Sequence, residues 1–117
     1  MSLLYRTCKG PEYVRPLMKE YIGGTPEDFP DRYRALSPLT HITPNAPPTI
    51  TLLGTSDRLV SADHATLLDQ ALSRVGVPRE TYMLPANDHA FDVNWGGFGT
   101  QTVRGKMEHF LERYVGR

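Results

Sequence analysis

A chain of 117 residues, 39% hydrophobic and 22% charged, carries enough apolar material for one modest core and falls outside the disordered, collagen-like and membrane classes. Thirteen basic residues balance thirteen acidic ones, and neither sign forms a run that could track a phosphate backbone or an anionic membrane, which argues against a nucleic-acid partner. The lone cysteine, Cys8, excludes an intrachain disulfide framework and favours a reducing compartment. Met1 to Arg6 is too short in apolar residues for a signal peptide, and no stretch approaches the ~18 apolar residues of a membrane span. The expectation is one soluble, cytoplasmic domain over residues 1–117.

In chain order, Leu3 to Thr7 reads as a short strand. Pro11 to Ile22 reads as a helix with Tyr13, Leu17 and Tyr21 four apart, a pattern weakened by Pro16. Gly23-Gly24 ends it, and Thr25 as N-cap with Pro26 at the first helical position starts another towards Tyr33 and Leu36. Ser37 to Pro48 is a proline-rich loop. No repeat or low-complexity tract interrupts the chain.

Thr49 to Leu53 is short, β-branched and apolar, bounded by Pro47-Pro48 and Gly54, and reads as a buried strand. Ser61 caps a helix whose apolar positions are Ala65, Leu68, Leu72 and Val75, with Gly76 as its stop and Pro78 beyond. Thr81 to Leu84 is the next strand. Strand, helix, strand makes a βαβ unit with parallel strands and a right-handed crossover. A last helix from about Thr102 to Tyr114 presents Val103, Met107, Phe110, Leu111 and Tyr114 as a stripe to cover the sheet, with Arg104, Lys106, Glu108, Glu112 and Arg113 as its solvated face. Asp57 and His89 then sit at matching carboxyl ends of adjacent strands, where open α/β sheets place their ligands. A carboxylate that orients an imidazole makes a general base at neutral pH.

Pro47-Pro48-Thr49, Leu53-Gly54-Thr55-Ser56-Asp57-Arg58-Leu59-Val60, Gly76-Val77-Pro78, Leu84-Pro85 and His89-Ala90-Phe91-Asp92 together resemble the C-terminal third of α/β-hydrolase-fold esterases. The group is that of lipases and carboxylesterases related to bacterial feruloyl and acetyl esterases. Ala35 to Leu39 fits it too, and the likeness covers roughly Tyr21 to Tyr114. It implies a partial α/β-hydrolase fold: the last two strands, their crossover helix and the terminal helix. It also implies carboxylic ester hydrolysis of a small-molecule substrate without a cofactor, with Asp57 and His89 as acid and base of a Ser…Asp…His triad.

The G-x-S-x-G elbow and the glycine-rich oxyanion loop of that family do not occur in these 117 residues, so the nucleophile is unassigned. Cys8 would make a chemically sound Cys-His-Asp arrangement. Ser56 adjoins Asp57, but neighbouring strand-end residues diverge, which makes it a turn residue first. Phe91 and Trp95 are candidates for substrate contact, although packing of Trp95 to Gly99 beneath the last helix is the stronger use. His41, His64 and His109 follow no metal-ligand spacing.

Two readings follow, a minimal esterase and a non-catalytic piece of a longer hydrolase that needs a partner segment. In either, a two-stranded parallel sheet leaves an unpaired edge, which self-association would cover as a homodimer or higher oligomer. Light scattering at micromolar concentration is expected to give a mass of two or more chains, with an unfolding midpoint that rises with concentration.

Overall fold

The computed structural model describes residues 14–116. The strand expected at Leu3 to Thr7 and the thiol of Cys8 lie outside them. The described elements, in chain order, are α1 (Val14–Ile22), α2 (Pro30–Leu36), a 3-10 turn (Pro38–His41), β1 (Thr49–Gly54), α3 (Ala62–Arg74), β2 (Arg79–Leu84), a second 3-10 turn (Phe91–Val93) and α4 (Phe98–Tyr114).

The first helices depart from expectation. In α1 only Ile22 is buried, and Leu17 and Tyr21 face solvent. Its anchorage is polar instead: Arg32 Nη1 donates to the Ile22 carbonyl at 3.0 Å, and the buried Tyr33 hydroxyl donates to the Gly24 carbonyl at 2.9 Å. Thr25 does form a reciprocal cap, its N–H donating to Asp28 Oδ2 at 2.9 Å while the Asp28 N–H donates back to Thr25 Oγ1 at 3.3 Å. The turn does not propagate, however, because Pro30 has no N–H to give to the Pro26 carbonyl. Helix α2 starts afresh at Pro30 with Phe29 as its N-cap.

The βαβ unit follows from local chemistry. Ser61 caps α3 by accepting the Asp63 N–H at 3.3 Å. At the other end Gly76 takes φ +76°, the Val77 N–H donates to the Leu72 carbonyl at 3.1 Å, and the Gly76 N–H donates to the Ser73 carbonyl at 3.0 Å. These are the paired bonds of a Schellman motif. Strand β2 begins at Arg79, two residues before the apolar run, and pairs with β1 in parallel from Thr49↔Arg79 to Gly54↔Leu84.

Each face of this ribbon carries one helix. Thr81 Oγ1 donates to Asp69 of α3 at 3.0 Å, and Arg79 Nε lies 3.2 Å from the same carboxylate, so the Arg79, Thr81 and Met83 face is the α3 side. On the alternate face Lys106 Nζ stands 4.6 Å from the centre of the Tyr82 ring, and Arg113 Nη1 lies 3.5 Å from Glu80 Oε1.

That second face corrects the expected stripe on the last helix, which also starts earlier, at Phe98. Buried positions are Gly99, Thr100, Val103 and Phe110, while Met107 and Leu111 are exposed. The buried seam runs through Gly99, Val103 and Phe110, with Lys106 and Arg113 exposed along its border. Two cations of the solvated face, Lys106 and Arg113, stay exposed as expected and reach over the edge of the helix to the Tyr82 ring and the Glu80 carboxylate.

Leu72→Ala, in the core, is expected to lower unfolding free energy by about 2–5 kcal/mol, whereas Leu111→Ala should change it by no more than about 0.5 kcal/mol. Urea midpoints of the two variants check this assignment of inside and outside.

Candidate active site

Parallel pairing carries both strands out of the ribbon at the same end, at Gly54 and Leu84, and the two exit loops continue to hydrogen-bond beyond it. The Thr55 N–H donates to the Leu84 carbonyl at 2.9 Å, the Ala86 N–H to Thr55 Oγ1 at 3.3 Å, and the Ser56 N–H to the Asn87 carbonyl at 2.9 Å. These bonds extend the ladder by side chains and turns. At its head stand Asp57 and His89, 32 residues apart in sequence, with His89 Nδ1 at 3.0 Å from Asp57 Oδ2.

The two partners are in unlike environments. The Asp57 side chain is 5% exposed and that of His89 45% exposed. Burial alone would raise the Asp57 pKa, but the N–H groups of Val60 and Leu59, both donating to Oδ1 at 2.8 Å, and the His89 ring outweigh it and hold the carboxyl below the usual carboxylate range. An ionised Asp57 can only accept, so Nδ1 carries the proton in this contact and Nε2 is left as the basic nitrogen.

His89 sits in a loop under backbone constraint. Ala86 and Ala90 adopt φ of 57° and 53°, left-handed values that cost an alanine on the order of 1 kcal/mol each. The His89 N–H donates to Asp88 Oδ1 at 2.7 Å. An open cleft of about 390 Å³ lies beside the pair, with Leu52, Val60, Phe91 and Val103 as its apolar wall and Asp88 and Asp92 at its rim.

The remaining candidates fall in different places. Phe91 lines the cleft with Asp57 and His89. Trp95 neither packs beneath the last helix nor lines that cleft: it is 68% exposed, with the Arg104 guanidinium 4.8 Å above its ring. Helix α4 begins at Phe98, so the preceding segment is surface loop. Ser56 is an exposed turn residue outside the cleft lining. Among the other histidines, His41 Nε2 meets the Ala35 carbonyl at 2.6 Å, and burial depresses His64. No group of three or more metal-ligating side chains occurs among the described residues. Sequence reasoning missed Thr55 and Asn87, whose bonds join the loops; their partners are long-range, so no local pattern marks them.

Comparison with known proteins bears on this geometry. A family profile described as BD-FAE matches residues 3–72, more than half the chain, a segment that contains Asp57 and ends before His89. An uncharacterized peptidase, YtmA, of Bacillus subtilis (strain 168) is 32% identical over 78 residues, 67% of this chain and 30% of that protein. The chain thus spans about a third of the length of this relative. No solved structure matches.

The depressed Asp57 carboxyl fixes the sign of one pH effect. Its stabilising contribution is complete above the unfolded value of about 3.9 and is lost as pH falls through the lower folded value. Urea midpoints of wild type and Asp57→Asn are therefore expected to differ at pH 6 and to converge as the pH drops below about 4.

Proposed function

This chain belongs to the BD-FAE family of α/β-hydrolase-type esterase domains, and from that premise we propose that it takes part in hydrolysis of carboxylic esters of small molecules. In this reading His89 is the general base and Asp57 its orienting acid. The observation that carries it is the 3.0 Å contact between a nearly buried carboxylate and a half-exposed imidazole at the mouth of an open cleft.

The chemistry follows from the free ring nitrogen. Nε2 takes the proton from an attacking hydroxyl as its oxygen bonds to the ester carbonyl carbon, and the imidazolium formed is stabilised by Asp57. Collapse of the tetrahedral oxyanion breaks the bond to the alcohol oxygen, and the proton passes from Nε2 to that leaving group. Water, or a hydroxyl or thiol supplied by a second chain, is the attacking group, with Cys8 and Ser56 the candidates within this chain; where a side chain attacks, water activated by Nε2 then attacks the acyl group, and the carboxylic acid leaves as the proton returns from Nε2 to the side chain. Phe91, on the cleft wall, would contact the acyl or aryl part of the ester.

With p-nitrophenyl acetate, His89→Ala is expected to lower kcat/KM by about 10²-fold or more, and equal rates for the two proteins would remove the mechanism. Unchanged turnover in Cys8→Ala and Ser56→Ala would assign the attack to water or to another polypeptide.

A second reading is favoured by the length of the relative, of which this chain matches 30%. In that case the Asp57–His89 pair is the acid and base half of a site whose nucleophile and oxyanion donors reside on a further segment or copy. Oxyanion donors are worth about 2.7–4 kcal/mol each, so the isolated chain would then show no turnover above its His89→Ala variant.

A further inference from the structure

The loop that carries His89 is locked by a residue that neither the acid-base pair nor the cleft lining includes. Asn87 lies between two glycines on separate elements. A side chain on Gly54, the last residue of β1, would fall on the Asn87 backbone carbonyl, and one on Gly99, in the first turn of α4, would fall on Asn87 Oδ1. Neither glycine has a positive φ, so the backbone conformation does not require them. What they provide is space for Asn87.

Inside this slot Asn87 makes bonds in two directions. Its carbonyl accepts the Ser56 N–H at 2.9 Å, one residue before Asp57, and its Nδ2 donates to the Pro85 carbonyl at 2.9 Å, across the left-handed Ala86. His89 is two residues further on. The loop between the left-handed Ala86 and Ala90 would relax towards ordinary backbone angles if nothing opposed it, and Asn87 is the point at which strand end, helix start and loop interlock.

We propose that Asn87 is a positioning residue: by filling the slot between Gly54 and Gly99 it sets where the His89 ring meets Asp57, and so which ring nitrogen carries the proton. Its contribution to turnover rests on the hydrolase reading above, whereas its effect on the ring does not. A displacement of about 1 Å at a reacting group can cost about 10²-fold in rate. The tautomer is set by the hydrogen bond that the other nitrogen makes.

The test uses ¹⁵N NMR of the histidine rings in the whole chain at neutral pH, with p-nitrophenyl acetate kinetics alongside. Wild type should show His89 as the Nδ1–H tautomer. Asn87→Ala, and Gly99→Ala, which evicts the Asn87 side chain without altering it, should both shift His89 towards Nε2–H. If the chain turns over ester, both should lower kcat about 10- to 100-fold, with KM little changed in Asn87→Ala; Gly99→Ala is read by kcat alone, because a side chain there also presses the Phe91 ring. A purely structural role would lower the melting temperature and leave the tautomer in place. Wild-type ring signals in both variants, an Nε2–H ring in the wild type, or loss of fold in both variants would each overturn the proposal. A tautomer shift without ester turnover in the wild type would sustain it and remove the hydrolase reading instead.

Discussion

The in-register parallel pairing of β1 with β2 is the constraint on which the site depends. Gly54 opposite Leu84 sends two loops out side by side, and the Thr55, Ser56 and Ala86 bonds prolong that registration up to Asp57 and His89. A slip of one residue would reverse the face of every side chain on one strand. Arg79 and Thr81 would leave Asp69, Glu80 and Tyr82 would leave Arg113 and Lys106, and the imidazole would move by ~3.3 Å along the strand. Polar contacts on both faces thus add to the register that the apolar contacts specify.

The pair divides its burial unequally, and the division suits acid-base chemistry. Asp57 is sealed by two backbone donors that keep it charged, while His89 remains open to the cleft. The buried partner is therefore held in its charged form at neutral pH, and the open one faces the cleft. The family match reaches Asp57 from the N-terminal side and stops short of His89, whose link to Asp57 is the 3.0 Å contact.

What could be read from the sequence was what local chemistry decides. Strand β1, the Ser61 cap, the Gly76 stop and the placing of Asp57 and His89 at neighbouring strand ends are all legible, because each depends on residues a few positions away or on the strand-helix-strand order. Where several local signals competed, the reading failed. Thr25 does cap a turn, yet Pro30 cancels the helix it would start. Met107 and Leu111 fit an apolar stripe, but a ribbon only two strands wide, ~5 Å between strand axes, receives a helix ~10 Å across along a narrow seam. Lys106 and Arg113 border that seam while staying exposed, their tips meeting Tyr82 and Glu80, which project from the sheet. The aromatic cluster around Trp95 promised packing and is surface. Gly54 and Gly99 were visible as glycines, but the reason for them, Asn87, appears only when three separate elements are brought together.

The connection between the two strands also sets an order of assembly. A parallel pair cannot zip up from a tight hairpin; its ends must be closed through a whole crossover, and closing that loop is an entropic cost met before the ladder returns any enthalpy. Helix α3, capped at both ends by its own neighbours, shortens the span that this closure has to bridge, like a splint. The carboxylate and the imidazole can meet only once the ribbon has closed, because it is that pairing which brings their two loops together.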